Sequence, residues 1–173
     1  MLTYLIAMKG HPATGKSTLA AALAQAWKWP LLDKDDIKDH TLGLPNENDL
    51  AYAILWQMVA TQLRLGISVI VDSPFAYPTL YAQAQTLATN YPARLLVVET
   101  QLCETIWRQR LDARLPTEST HKIQGWDRMR AHLVAYNDCW RYPIDPAHHL
   151  LVNTEEPTAQ LLEQVWKRIS AEQ

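Results

Sequence analysis

Glycine is scarce in this chain, five among 173 residues, so backbone freedom is confined to a few places. Cysteine is scarcer, at two. Cys103 and Cys139 are too few for a disulfide framework and lack metal-ligand spacing, so both are expected as packed thiols. No block of five or more Lys and Arg occurs, and the net charge is −2. A wide non-specific nucleic-acid surface is thereby excluded, although a short basic pocket is not. No apolar run approaches the roughly 20 residues that span a bilayer, so no membrane partner is expected. There are no internal repeats and no low-complexity tracts. The single Phe stands against seven Trp, and composition alone gives those tryptophans no role. Strand-like residues begin at once, so no signal peptide is expected. A cytoplasmic location is expected.

What is present has the balance of an ordinary globular protein, 48% hydrophobic and 20% charged. One domain over residues 1–173 is expected. Short apolar runs at Leu2–Met8, Pro30–Leu32, Ile67–Val71, Arg94–Glu99 and His149–Val152 suit strands buried on both faces. Helical patterns lie between them. Ala51, Ile54, Leu55, Met58, Val59 and Gln62 share one helical face. Pro78 can open a helix running to about Ala88, and Leu102 to Arg114 is helical. Pro157 fits the start of a last helix with the stripe Leu161, Leu162, Val165, Trp166 and Ile169. Alternating buried strands and helices predict a parallel α/β sandwich with right-handed crossovers, its ligand at the carboxyl ends of the strands.

Two of the five glycines fall in Gly10-His11-Pro12-Ala13-Thr14-Gly15-Lys16-Ser17, a G-x-x-x-x-G-K-S phosphate-binding loop between an apolar strand and a helical run. Gly10 and Gly15 permit backbone conformations closed to other residues, so that successive N–H groups point at a phosphate beside a helix N-terminus. Lys16 can reach the β- and γ-phosphates, and Ser17 can place its hydroxyl on Mg²⁺. A nucleoside triphosphate is expected here, ATP with Mg²⁺. Residues 10 to 17, with Thr18 beside them, are its expected contacts. No Asn-Lys-x-Asp motif for guanine occurs.

Asp33-Lys34-Asp35-Asp36-Ile37-Lys38 follows the second strand and emerges at the same sheet edge as the loop. A carboxylate there can take the proton of an acceptor hydroxyl; Asp35 is the first candidate, with Asp33 and Asp36 behind it. Helix capping is the other use of such aspartates. Asp72 ends the third strand, where it can hold the Mg²⁺ shell or face the acceptor. Ser73 follows it in place of the glutamate with which motor ATPases activate water, which points to transfer rather than hydrolysis. Arg110 and Arg114 share a helix face and could close on a moving phosphoryl group, or pair with Glu104 or Asp112 at the surface. The polar stretch from Leu115 to Gly125 is either a lid or a solvated connection. Trp126, Tyr136, Trp140 and Tyr142, with Trp56 and Tyr77, are core aromatics or the walls of an acceptor pocket. The single histidines show no ligand spacing, and His11 is expected to contribute its backbone.

These motifs resemble the P-loop kinases of the small-molecule and polynucleotide kinase type, among them chloramphenicol phosphotransferase, gluconate kinase and zeta-toxin-like kinases. The resemblance rests on Gly10–Ser17, Lys34-Asp35-Asp36-Ile37-Lys38, Val71-Asp72 and Arg110…Arg114. It implies a three-layer α/β/α fold with a five-stranded parallel sheet in order 2-3-1-4-5. It also implies an arginine-bearing lid at about 112–125 and adenine near Asn153–Pro157. By position, Asp35 would be the base and Lys38 a substrate contact, with Asp72 near both metal and acceptor. Lys38 stands where the polynucleotide kinases have arginine, and lysine lacks the bidentate fork. With the acidic net charge, this favours a small-molecule hydroxyl acceptor over an oligonucleotide 5′ end. A non-catalytic, toxin-like nucleotide-binding module is the remaining alternative. Oligomeric state is not readable.

Overall fold

A computed structural model describes residues 2–114 and 122–171. Five strands form one parallel sheet in order β2-β3-β1-β4-β5, as expected: β1 Thr3–Lys9, β2 Leu31–Asp33, β3 Val69–Asp72, β4 Ala93–Gln101 and β5 His149–Asn153. The helices are α1 Lys16–Trp27, α2 Lys34–Thr41, α3 Glu47–Arg64, α4 Pro78–Asn90, α5 Glu104–Asp112, α6 Trp126–Tyr136 and α7 Thr158–Ser170.

Strand alternation sorts the core into two layers. Leu5, Ala7, Val69, Val71, Leu95 and Val97 pack with Leu55, Val59, Leu80 and Ala84 of α3 and α4. Ile6, Met8, Ile70, Leu96 and Val98 pack on the other face with Leu19, Leu23, Leu161, Val165 and Ile169 of α1 and α7. Both faces of the sheet are therefore covered, which is why its strands read as unbroken apolar runs.

The α3 stripe differs from the sequence expectation. Ala51, Leu55, Trp56, Val59 and Leu63 are buried, whereas Ile54 and Met58 are about 40% exposed, at 38% and 41%. The helix is rotated toward Trp56 and Tyr52, because the wide indole fills the space beside Phe75. On α7, Leu161, Val165 and Ile169 are buried, but Trp166 is half exposed and packs at a tilt on Trp27. Cys103, expected as a packed thiol, is exposed at the start of α5, and Cys139 is half-buried. Both thiols are free. Residues 115–121 of the expected lid lie outside the described residues. Among the described residues no helix is long and apolar enough to cross a membrane.

The parallel registry sets the site. Asp33 is the Cα partner of Asp72, and Asp72 that of Met8, so β2, β3 and β1 end side by side where the loop begins. Leu55→Ala should destabilise the fold by about 2–5 kcal/mol, while Ile54→Ala should change it by no more than about 0.5 kcal/mol. Chemical denaturation of the two variants checks the observed stripe against the expected one.

Candidate active site

The loop after β1 is held by close contacts that only glycine permits. Gly10 has φ +144°, and a Cβ there would lie 2.4 Å from Thr100 Oγ1 and 2.9 Å from Thr14 Oγ1. Gly15, at φ +91°, precedes α1 and abuts Thr154. Hydroxyls brace the loop from outside: Thr14 and Thr100 share a hydrogen bond of 2.7 Å, and Thr154 Oγ1 donates to Thr14 O at 2.7 Å. The Lys16 ammonium donates to His11 O at 2.9 Å and is buried. Burial pushes its pKa down, opposed by the charges of Asp72 and Asp35.

His11 supplies the expected backbone oxygen, but its ring is also engaged. It stacks on Trp107 and lies 4.2 Å from the Trp140 ring centroid. Trp107 Nε1 in turn donates to Pro12 O at 2.7 Å. Burial, with the charges of Lys16 and Lys9, lowers the His11 pKa to about 4, so the ring is neutral at neutral pH. Neither tryptophan was linked to the loop by sequence, because the contact spans about a hundred residues of chain.

A cavity of about 690 Å³ runs from Thr154–Leu161, along the loop, to Tyr52, Tyr77 and Tyr136. Its lining brings together most of the expected residues: Pro12, Ala13, Gly15, Lys16, Ser17, Thr18, Asp33, Asp35, Lys38, Asp72, Arg110 and Arg114. Gly10, His11 and Thr14 instead form the braced back of the loop. Asp36 is exposed and does not line the cavity. Asp33 does what capping aspartates do, accepting from Asp35 N at 2.8 Å at the start of α2. Asp35 lies 3.6 Å from Lys34 Nζ, which also bonds Asn48 and sits over the Tyr52 ring.

Asp72 is buried, and it lines the cavity together with Ser17. Burial raises its pKa, with Lys16 pulling the other way. Asp33 is raised to about 6, by burial first and then by the neighbouring charge of Asp72. Among the described residues no group of three or more His, Cys, Asp or Glu side chains could cage a metal ion. The Ser17–Asp72 oxygen pair is the remaining donor set. It suits Mg²⁺, which takes one or two protein oxygens and completes its shell with phosphate and water.

The arginines divide. Arg110 donates to Thr154 O at 2.8 Å and to Thr154 Oγ1 at 3.2 Å, so it is tied to the loop after β5. Arg114 donates to Ile123 O. Arg108 pairs with Glu104 and covers Trp126, away from the cavity. Asn48, Tyr52, Lys122 and His132 also line the cavity and carry no motif by which sequence could find them.

A family profile described as an AAA domain matches residues 5–135, and the chain belongs to that family of P-loop kinase domains. Solved structures agree on the fold. The chain is 27% identical to a candidate kinase from Chloroflexus aurantiacus, covering 97% of this chain and 99% of that one, with a TM-score of 0.75. It is 16% identical to a gluconokinase from Sinorhizobium meliloti, covering 98% and 93%, with a TM-score of 0.65. It is 13% identical to an APS kinase from Mycobacterium tuberculosis solved with AMPPNP and APS, covering 98% and 98%, with a TM-score of 0.69. No curated protein matches the chain.

A raised Asp33 pKa means the folded state binds this proton more tightly than the unfolded chain. The wild-type protein therefore loses stability as pH rises from about 4 to about 6. Asp33→Asn keeps a capping side chain without the charge. Its melting temperature should exceed that of wild type at pH 7, with the gap closing below pH 4; thermal denaturation across pH reads it.

Proposed function

We propose that the chain is an ATP-dependent phosphotransferase that moves the γ-phosphate of Mg·ATP to a hydroxyl group of a small molecule. One observation carries this reading: Lys16 and Ser17 line the same cavity as Asp33 and Asp35. Donor and acceptor groups thus face a shared space, and phosphoryl transfer asks mainly for positioning and charge stabilisation. The gluconokinase and the APS kinase among its structural neighbours are consistent with a small acceptor.

In this reading the loop N–H groups and Lys16 hold the β- and γ-phosphate oxygens. Ser17 and Asp72 hold Mg²⁺, which when bound offsets the charge of the phosphates. Asp35 accepts the proton of the acceptor hydroxyl, steadied by Lys34. Lys38 contacts the acceptor. Arg110 fixes the loop after β5 at the base end of the nucleotide, and Arg114 faces the moving phosphoryl from the lid side, about 112–125. Ser73, not the glutamate of motor ATPases, follows Asp72, which favours transfer over hydrolysis.

Lys16→Ala should lower acceptor-dependent ADP release by roughly 10²–10³, the cost of removing one charge-stabilising donor. A coupled ADP assay over a panel of sugars, nucleosides, antibiotics and 5′-hydroxyl oligonucleotides reads this. Full turnover in the variant would sink the mechanism.

A further inference from the structure

The acceptor end of the cavity has a wall that the phosphotransfer chemistry does not use. Tyr77 and Tyr136 lie with ring centroids 5.6 Å apart. Tyr136 also meets His132 at 4.1 Å and Trp140 at 5.6 Å. All four rings line the cavity, with Pro74 and Ala76 between them and the end of β3. The Trp140 indole N–H is buried and has no hydrogen-bond partner among the described residues.

This wall is built rather than incidental. Trp140 continues through His11 to Trp107 and Trp126, with centroids 4.2, 5.1 and 5.2 Å apart. The row is fixed to the phosphate loop at Trp107, which donates to Pro12 O. The aromatic faces are therefore held by packing at a set position relative to the donor loop, as a preorganised subsite requires.

Charge at this end is mixed. Asp33, Asp35 and Asp72 put three carboxylates in the cavity, and Lys34 is paired with Asp35. Lys38 has no carboxylate partner among the described residues. Lys16, Arg110, Arg114 and Lys122 also line the cavity, so the aromatic wall rather than net charge selects the occupant. Tyr77, Tyr136, His132 and Trp140 give this wall aromatic surface, and aromatic surface holds flat rings by stacking.

We propose that the acceptor is a hydroxyl compound bearing a planar ring, packed against Tyr77, Tyr136 and Trp140 with its hydroxyl toward Asp35. A nucleoside and an aryl alcohol share this chemistry. The proposal rests on the kinase reading above and deepens it.

The test begins with the wild-type protein saturated with a non-hydrolysable ATP analogue. Binding of uridine, adenosine, 2-phenylethanol, gluconate and glucose is followed by saturation-transfer NMR. At least one ring compound should bind, and gluconate and glucose should bind at least about tenfold more weakly. Nucleosides and the aryl alcohol separate the two sources of the ring. Tyr136→Ala should weaken the ring compound about tenfold, the scale of one lost stacking partner, with analogue affinity kept within about twofold. Tyr136→Phe should retain binding, which separates stacking from a structural effect. Equal binding of gluconate, no binding of any ring compound, or equal loss of analogue affinity in Tyr136→Ala would each overturn the subsite. Failure of the analogue itself to bind would instead overturn the kinase reading, and this proposal with it.

Discussion

The site depends on how closely the phosphate loop approaches the end of β4. Gly10 lies so near Thr100 that any side chain would strike its hydroxyl or its backbone oxygen. That approach lets Thr14, Thr100 and Thr154 close a buried hydroxyl network linking the loop to β4 and to the segment after β5. In a low-dielectric interior such a network holds the backbone in place only if every member is satisfied. Here the threonine hydroxyls are, and the loop curls around Lys16 with His11 O as its partner.

Parallel registry then concentrates charge on one side of the loop. Asp33 and Asp72 are adjacent because β2 and β3 end together, and each carboxylate raises the cost of ionising the other. Lys16 offsets this for Asp72. On the opposite side, Lys9 and Glu99 are also register partners but bond directly at 2.6 Å, with His149 on the second oxygen. The same sheet edge thus carries a satisfied ion pair under β4 and an acidic pair under β2 and β3. The second is the one that opens into the cavity.

The tryptophans fall into three places, which composition could not reveal. Trp107, Trp126 and Trp140 form the row behind the loop. Trp27, Trp29 and Trp166 pack together where α1 and α7 meet. Trp56 fills the core beside Phe75 and rotates α3 off the stripe that hydrophobicity alone favours. Helical periodicity marks a face only to within the width of an apolar stripe, and one large ring is enough to decide between neighbouring positions.

By itself the sequence determined the loop, the alternation of buried strands and helices, and the placing of Lys16, Asp35 and Asp72 at one sheet edge, because these follow from local patterns, whereas the strand order was implied by the family resemblance. A G-x-x-x-x-G-K-S run needs a strand before it and a helix after it, and buried parallel strands need helices between them. Tertiary structure alone decided what each long-range partner does. It tied Arg110 to Thr154, sent Arg108 to the surface, left Asp36 outside the cavity, set Trp140 against His11 of the loop and put Tyr136 beside Trp140. The physical reason is separation along the chain. Caps, turns and periodicity act over a few residues. The side chains that shape the acceptor end come from segments far apart, and only the packed sheet sets their distances.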